Sequence, residues 1–394
     1  MSSNDARPDA GHGNAAAREV KPQPARLRSL DVFRGLTVAG MVIVNNPGDW
    51  GTVYWPLRHA EWDGWTPTDL IFPFFLFIVG VSIGLGTLRL RSGHARVATT
   101  VTIFRRGAII WGLGLLLAAF PFFRLETVRL TGVLARIAWC YVPAALLTRA
   151  LGEHPQRLRL VRTIVVALLA AYWALLATVP FPGGFAGDLS PEGNIGAWLD
   201  RVIFGRHLWR QGNWDPEGLL STMPALATTL IGVIAGWFIR ATASPRTLVR
   251  GLLIWGLIGI LLGLFTSMWM PINKSLWTSP YVLFTAGVAA ASLAVCYWIC
   301  DTAASRWRLR FTEPFVALGR NAILLFVLSG LLAKTLIYLQ WPDPALSLGG
   351  WIYKKAFLPL ATPYNASLLY ALAHLLLLFA LLSWLHRRRL YLTV

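Results

Sequence analysis

The stretch RHAEWDGWTPTDLIFPFFLFIVG (residues 58–80) places a histidine, acidic residues and two tryptophans directly before an apolar run. This run continues without a charge from Leu70 to Leu88 and is rich in phenylalanine and isoleucine. A helix needs roughly 20 mostly apolar residues to cross a hydrocarbon core of about 30 Å, so we expect residues 67–88 to span a membrane. Polar groups capable of chemistry therefore lie at one end of a membrane helix.

The rest of the chain has the same apolar character. Of its 394 residues, 56% are hydrophobic and 14% are charged, and the mean hydropathy is +0.55. The stretches are uniformly apolar rather than alternating, which favours helices over a β-barrel. The predicted fold class is all-α, a polytopic membrane bundle of about ten transmembrane helices. The predicted spans are 30–48, 67–88, 102–121, 131–148, 161–180, 218–239, 251–270, 277–299, 315–339 and 364–385.

The net charge of +18 is distributed unevenly between the two sides of this bundle. The termini and the loops on their side hold 23 lysines and arginines, and the opposite loops hold nine. Positive charge favours the cytoplasmic side, which predicts cytoplasmic termini in a multi-pass plasma (bacterial inner) membrane protein. Topology explains the charge, so no nucleic-acid partner is expected. The composition of residues 1–25 predicts a disordered cytoplasmic tail. Residues 26–394 are predicted to form a single transmembrane domain.

Familiar cofactor and catalytic motifs are missing from the sequence. It contains no Walker loop, no Gly-x-Ser-x-Gly elbow, no His-Glu-x-x-His helix and no clustered metal ligands. The three cysteines fall inside predicted helices without metal-binding spacing, which favours apolar packing. Two kinds of function remain compatible with the sequence. One is group transfer without a resident cofactor or metal, and the other is transport.

Ionisable residues inside the predicted spans are costly and suggest function. Asp31 and Arg34 lie three residues apart on one face of the first helix, where an ion pair at the inner interface is the simpler explanation. Arg136 lies about one turn below the outer end of the fourth helix, where a buried ion pair or a ligand anion would balance its charge. In the ninth helix, Thr312 and Pro314 predict an opening, and Asn321 is expected to point into the bundle.

The polar loop before residue 70 contains two candidate catalytic residues. Thr66 and Asp69 match the capping box of a helix start, and Asp215 with Glu217 gives a similar pattern before the span 218–239. No such structural role explains His59. An imidazole there can accept a proton from an attacking group or form a transient acyl adduct. Asparagines at the end of the first helix and the amino end of the second can stabilise an oxyanion, so the pattern suggests acyl transfer.

Several of these stretches resemble, in order, the heparan-α-glucosaminide N-acetyltransferase family. They are RLRSLDVFRGLTVAGMVIVNNPG (26–48), HAEWDGWTPTDLIFPFFLFIVGVSI (59–83), GVLARIAWCYV (132–142), WDPEGLLSTMPALATTLIGVIAG (214–236), PINKSLWTSPYVLFTAG (271–287) and GRNAILLFVLSG (319–330). The resemblance implies transfer of an acetyl group from cytoplasmic acetyl-CoA to the amine of a glucosamine unit beyond the membrane. It also implies a homodimer and a bacterial relative whose acceptor need not be heparan.

The resemblance also implies roles for particular residues. His59 corresponds to the family's active-site histidine and Asn45 to the asparagine that ends its first helix, with Asn46 as a one-residue alternative. From the residues themselves, Asp69 either supports His59 or caps the second helix. The groups expected to line or brace a CoA channel are Arg136, Arg34, Asp31 and Asn321. The candidates for binding the amino sugar are Asn46, Trp62, Trp65, Asp215, Glu217, Asn273 and Lys274. An extended pantetheine arm covers roughly half of the ~30 Å core, so His59 is expected to fold inward to meet it.

Two mechanisms and two other functions remain open from the sequence. His59 acts either as a general base or as an acetyl carrier with ping-pong kinetics. The tryptophans either stack on a sugar or anchor the chain at the interface. The principal alternative function is a transporter for an amino sugar or muropeptide, and the third is a membrane scaffold.

Overall fold

A computed structural model describes residues 27–86, 94–302, 306–388 and 390. Within these ranges the chain forms thirteen α-helices, joined by loops and by short 3₁₀ and π segments, and it contains no β-strand. The tail predicted over residues 1–25 lies outside the described residues. In chain order the helices are α1 (Arg28–Asn45), α2 (Ile71–Leu85), α3 (His94–Ala119), α4 (Val133–Leu151), α5 (Arg157–Thr178), α6 (Ile195–Phe204), α7 (Thr222–Ala241), α8 (Pro245–Thr266), α9 (Ser279–Cys300), α10 (Arg306–Arg320), α11 (Ala322–Tyr338), α12 (Leu348–Ile352) and α13 (Pro363–Arg387).

The helices confirm the predicted fold class, a multi-pass membrane bundle. Eight helices in the described ranges are long and apolar enough to cross a membrane, and the bent pair α10 and α11 adds a ninth if it forms one span. The 18-residue helix α1 falls outside this set because it carries Arg28, Asp31 and Arg34. The ten predicted spans therefore correspond to α1, these eight helices and the bent pair.

Helices α2 and α7 form the centre of the bundle. About two thirds of the α7 span and 61% of the α2 span are buried within the protein, against 17% for α3 and 22% for α8. The exposed side chains of α8 include Leu257, Ile258 and Leu261, which is the composition expected of a surface facing lipid. The polar loop that precedes α2 is thus attached to the most enclosed part of the fold.

Glycines allow α2 and α7 to pack backbone against backbone. A Cβ on Gly80 would collide with the Thr229 carbonyl oxygen, and a Cβ on Gly232 would collide with the carbonyl oxygen of Phe77. Small residues at such positions are the usual means by which membrane helices approach each other closely. The contact fixes α2, and therefore both ends of α2, relative to the rest of the bundle.

The predicted ninth span is broken rather than continuous. Helices α10 and α11 meet at an angle of 73°. The sequence placed an opening at Thr312 and Pro314, which is wrong, because α10 runs through Pro314 and ends at Arg320. The break lies at Asn321, whose backbone leaves the helical region (φ −116°, ψ 30°) and whose side chain is buried in the bundle as predicted.

Candidate active site

The start of the second span positions Asp69. A 3₁₀ turn, Pro67–Leu70, precedes α2, and the Thr66 backbone amide donates to Asp69 Oδ2 at 3.1 Å. This is the capping interaction that the sequence pattern predicts, since the third-position acid reaches back to the residue that begins the turn. Asp69 is 1% exposed, and its carboxylate has further partners on the loop before it.

His59 is one of those partners. Its Nδ1 lies 2.7 Å from Asp69 Oδ1, and the Ala60 backbone amide donates to Asp69 Oδ2 at 3.0 Å. An ionised carboxylate only accepts hydrogen bonds, so Nδ1 carries the proton and the lone pair of the neutral ring lies on Nε2. The His59 side chain is 47% exposed, so Nε2 is accessible to a substrate. The structure thus supports both the capping role of Asp69 and its contact with His59.

Lys274, from the loop between α8 and α9, completes this group. Its Nζ lies 3.3 Å from Asp69 Oδ1, 3.0 Å from His59 Nδ1 and 3.4 Å from His59 Nε2. Burial lowers the pKa of the Lys274 ammonium, and the charge of Asp69 opposes that shift. We call His59, Asp69 and Lys274 the outer centre, because they lie on the side of the bundle opposite the predicted cytoplasmic face.

Hydrogen bonds join the two loops that form the outer centre. The Gly64 amide donates to the Ile272 carbonyl at 2.8 Å, and Asn273 Nδ2 donates to Asp63 Oδ1 at 3.0 Å. Asn273 is fully buried, so it joins the loops and does not present its amide to a substrate. The sequence predicted that Asn273 binds the sugar, whereas in the structure its side chain holds the two loops together.

The two asparagines at the end of α1 do not contact the outer centre. The Asn45 side chain is exposed and forms no hydrogen bond with the described residues. Asn46 is buried and donates through Nδ2 to the Val42 carbonyl at 2.7 Å and to Ser329 Oγ at 3.1 Å. The Ser329 hydroxyl in turn lies 3.5 Å from Nε2 of the buried His374. Asn46 therefore connects α1 to α11 and α13 instead of facing a sugar.

The two tryptophans of the polar loop occupy different settings. Trp62 donates from Nε1 to the Leu189 carbonyl at 2.9 Å, and its ring meets Trp214 edge to face at 5.1 Å. Both rings line a small cavity of about 20 Å³, which Asp200 also borders. Trp65 is 39% exposed, and its ring lies 4.7 Å from that of Phe284. Trp62 and Trp214 therefore form an aromatic surface beside acidic groups.

Asp215 and Glu217 do not cap a helix. Helix α7 begins at Thr222, and both carboxylates instead bind Arg129 from the loop before α4. Arg129 Nε donates to Asp215 Oδ2 at 2.9 Å. Burial alone would lower the pKa of Arg129, but Glu217 and Asp215 raise it above its ordinary value. The predicted cap is wrong because the chain continues as turns between these acids and the helix.

Arg136 is fully buried on the face of α4 that packs against α7. Its Nη2 donates to the Gly218 carbonyl at 2.9 Å and contacts the Ser221 hydroxyl, and its guanidinium lies over the Trp277 ring at 5.1 Å. Its Nε and Nη1 have no hydrogen-bond partner among the described residues. Arg136 does not line the large cavity described next, so its location does not support the CoA contact expected from the sequence.

A cavity of about 590 Å³ opens between α2, α3, α4 and the break between α10 and α11. The charged residues that line it are Arg34, Arg106 and Arg320. The remaining walls are mostly apolar. From α2 and the residue that follows it, the lining takes Phe75, Ile78, Val79, Ser82, Ile83 and Gly86. We call this volume the inner cavity, because its arginines lie toward the predicted cytoplasmic face.

Asp31 connects two of these arginines. It is buried and accepts from Arg34 Nη1 at 3.3 Å, and its other carboxylate oxygen lies 3.5 Å from Arg320 Nε. The sequence predicted the pair of Asp31 and Arg34, and the structure places Arg34 on the cavity wall and Asp31 behind it. Asn321 follows Arg320 at the helix break without lining the cavity.

Sequence reasoning missed Arg106 and Arg320 as members of one site. Arg106 was counted with the charges that set topology. Arg320 was recognised as an ionisable residue of the ninth span, with an orientation toward the cytoplasm as the alternative explanation. The available signal was their depth, because Arg106 and Arg320 lie about one turn inside the predicted spans 102–121 and 315–339. The described residues contain no group of three or more side chains able to hold a metal ion.

Comparison with known proteins confirms the resemblance seen in the motifs. Residues 26–185 match the family model for the catalytic region of heparan-alpha-glucosaminide N-acetyltransferase. The heparan-alpha-glucosaminide N-acetyltransferase of Homo sapiens is 28% identical over 369 residues, which is 80% of this chain and 54% of that protein. The protein of that name from Mus musculus is 29% identical over 354 residues, which is 77% of this chain and 53% of that protein. The chain thus spans about half the length of these relatives.

Proposed function

We propose that the protein is a transmembrane N-acetyltransferase, because the chain resembles the heparan-α-glucosaminide N-acetyltransferase family over most of its length. It transfers an acetyl group from cytoplasmic acetyl-CoA to the amine of a glucosamine-type sugar on the outer side. We place it in the inner membrane of a bacterium, with both termini in the cytoplasm and a second copy as partner. The observation that carries the proposal is the His59–Asp69 pair, with Nδ1 and Oδ1 2.7 Å apart and Nε2 accessible.

The inner cavity supports binding of the acetyl donor. Arg34, Arg106 and Arg320 would bind the phosphates of CoA, because guanidinium groups match phosphate oxygens in charge and geometry. The cavity lining runs along α2 from Phe75 to Gly86, the residue just after the helix, which is about 16 Å at a rise of 1.5 Å per residue. This length is close to that of an extended pantetheine arm, which would lie along the apolar walls with its thioester near Phe75.

A gap separates that end of the inner cavity from the outer centre. Phe75 lies six residues after Asp69, about 10 Å along the 3₁₀ turn and the first turn of α2. Phe72 lies between them on the same face of the helix, and its ring packs against Trp277 at 5.0 Å. The expectation that His59 folds inward is not met, since His59 lies outside the cavity lining and is 47% exposed. Transfer therefore requires the chain to open at Phe72 so that the thioester reaches His59.

His59 acts as the general base of the proposed reaction. Its Nε2 accepts a proton as the acceptor amine attacks the thioester carbonyl, and a new C–N bond forms. The C–S bond then breaks, and the CoA thiolate takes the proton from Nε2. Asp69 holds the ring in the required tautomer and stabilises the imidazolium while it exists. An acetyl group carried on Nε2 is the alternative route and would give ping-pong kinetics.

The surface beside the outer centre suits an amino sugar. Trp62 and Trp214 offer aromatic faces that can stack on a sugar ring. Asp200 borders the same small cavity, and because it is buried and accepts from the Leu219 amide at 2.8 Å, it would act on the acceptor through its charge rather than by direct contact. Glu217 and Asp215 are already bound to Arg129, so they shape this surface electrostatically rather than contact the amine.

Acetyl transfer by the purified protein tests the proposal. Radiolabelled acetyl-CoA is offered with glucosamine or chitosan oligomers, and the acetylated sugar is counted for wild type, His59→Ala and His154→Ala. We expect a loss of about 10²- to 10⁴-fold for His59→Ala, because that is the range attributed to a general base. His154 is an exposed histidine on the connection between α4 and α5 and should be dispensable. No acetylated sugar from wild type would contradict the proposal.

The break between α10 and α11 favours one other function, transport of an amino sugar. Discontinuous helices beside a central cavity are typical of transporters. Uptake of radiolabelled sugar into proteoliposomes without acetyl-CoA, together with no acetylation in the assay above, would establish transport instead.

A further inference from the structure

We propose that Lys274 is a positioning residue of the outer centre whose ammonium keeps the His59 imidazole neutral by competing with it for the charge of Asp69. The inference rests on the proposed function only in treating His59 as the reacting base. The effect of the Lys274 charge on the protonation of His59 can be measured even if the protein transfers no acetyl group.

The geometry places two potential cations on one carboxylate oxygen. Asp69 Oδ1 lies 2.7 Å from His59 Nδ1 and 3.3 Å from Lys274 Nζ. The Lys274 ammonium is also 3.4 Å from His59 Nε2, the nitrogen that would have to take up a proton. A histidine whose only neighbour is a buried carboxylate is biased toward the charged form. Here an ammonium already balances that carboxylate, so a second positive charge would meet repulsion at about 3 Å.

Lys274 is held in this position by a rigid loop. Trp277 is fully buried and has a positive φ of 55°, a left-handed conformation that a bulky residue adopts only when its surroundings impose it. Its amide donates to the Lys274 carbonyl at 3.1 Å, and its Nε1 donates to Thr228 Oγ1 at 3.2 Å. The Arg136 guanidinium covers its ring. The strained turn therefore fixes the backbone of Lys274 relative to α4 and α7.

Arg136 gains a role from this arrangement. It is fully buried, and its guanidinium carbon lies 5.1 Å from the centroid of the Trp277 ring. Cation–π contacts of this kind are stronger when both groups are desolvated, as they are here. Arg136 thus supports Lys274 from behind, without touching the outer centre.

No other described charged group competes for Asp69. Arg58, beside His59, donates from Nε to the Val53 carbonyl at 2.7 Å, and Asp63 accepts from Asn273. Glu61 is exposed on the same loop, and Tyr281 donates to the Asp69 backbone carbonyl at 2.6 Å, not to its carboxylate. Burial lowers the pKa of the Lys274 ammonium, and the charges of Asp69 and Glu217 oppose that shift. The balance at His59 is therefore set mainly by Asp69 and Lys274.

The pH dependence of chemical modification of His59 tests this proposal. Diethyl pyrocarbonate attacks only the neutral imidazole, so the rate of His59 carbethoxylation, followed by mass spectrometry of its peptide, reports the fraction of neutral ring at each pH. The full-length protein in detergent is compared with Lys274→Met and Lys274→Arg. Lys355→Met serves as a control, because Lys355 is an exposed lysine after α12. Lys274→Gln replaces the methionine variant if that variant does not fold.

Removing the ammonium should raise the midpoint of the modification curve by about one pH unit or more, the usual effect of a nearby charge. Lys274→Arg and Lys355→Met should keep the wild-type midpoint. The acid limb of the acetyl-transfer rate should move in parallel with the modification curve in Lys274→Met. A raised midpoint without acetyl transfer by wild type would support the inference and contradict the proposed function.

Two results would overturn the inference. The first is an unchanged midpoint in a folded Lys274→Met protein. The second is an equal shift in Lys274→Met and Lys274→Arg, which would show that side-chain shape rather than charge matters. Loss of transfer with a raised KM for the sugar and an unchanged midpoint would assign Lys274 to acceptor binding instead.

Discussion

At one end of α2, His59, Asp69 and Lys274 lie within 3.4 Å of one another, whereas toward the other end Arg34, Arg106 and Arg320 surround an open volume of about 590 Å³. The outer centre is preorganised, with hydrogen bonds and a strained turn holding each side chain before any substrate arrives. The inner cavity has converging positive charge and room for a ligand. The outer end is therefore suited to the chemical step, and the inner end is suited to binding an anionic acetyl donor.

The strongest test of the preorganised end is Asp69→Asn. The asparagine retains the size of the side chain but loses the charge that orients His59 and stabilises its protonated form. We expect kcat for acetyl transfer to fall by about 10²- to 10⁴-fold, as for other carboxylates that orient a catalytic histidine. Steady-state rates with acetyl-CoA and glucosamine oligomers measure the effect. Glu61→Gln, on the same loop but exposed, is the control, and an equal loss in that variant would refute the role of Asp69.

The contrast between the two ends also separates what the sequence could predict from what it could not. His59, Asp69 and the capping residue Thr66 lie within eleven positions, so a local motif was enough to associate them. Lys274 was identified as a candidate but could not be placed, because its loop meets His59 only through tertiary packing. The fold class followed from the apolar runs, since lipid permits few alternatives.

The inner cavity was harder to predict because its residues are far apart in the chain. Arg34, Arg106 and Arg320 come from three helices, and only the packing of those helices brings them together. The break at Asn321 was misplaced because proline is the stronger sequence signal for a break, whereas here Pro314 is accommodated inside α10. Asn45 and Asn46 were expected at the outer centre because they end the helix before it, but Asn45 is exposed and Asn46 donates to Val42 and Ser329 instead.

Arg320→Gln tests recognition at the inner end. It removes a guanidinium from the cavity wall while leaving the outer centre untouched, so binding should suffer and chemistry should not. We expect KM for acetyl-CoA to rise about tenfold, with kcat within about twofold, because a charged hydrogen bond contributes on the order of 1.5–3 kcal/mol. Arg308→Gln on the same helix, whose guanidinium lies over Trp298, is the matched control. A fall in kcat at constant KM would show that the two ends are not separate in function.

Phe72→Ala tests the barrier between the two ends. The substitution removes the ring that lies between Phe75 and Asp69 and should connect the inner cavity to the outer centre. Since enclosure of an active site suppresses side reactions with water, we expect acetyl-CoA hydrolysis without acceptor to rise about threefold. Release of free CoA thiol measures this rate. Phe74→Ala, whose ring faces Phe33 instead, should leave hydrolysis unchanged; equal rates in both variants would exclude Phe72 as the barrier.

The smallest effect concerns Asp200, on the acidic side of the surface next to the outer centre. Burial raises its pKa to about 7, although its carboxylate accepts from the Leu219 amide at 2.8 Å. An acid with a raised pKa in the folded state binds more protons folded than unfolded between about pH 4 and 7, so its contribution to stability decreases as pH rises through that range. Asp200→Asn removes this titration and keeps an oxygen for the Leu219 amide. We therefore expect the Tm of the variant minus that of wild type to increase by a few degrees between pH 5 and pH 8, measured by thermal unfolding in detergent. A difference that stays constant with pH would show that Asp200 is ionised throughout, and that the surface offered to the sugar carries its negative charge even in mildly acidic solution.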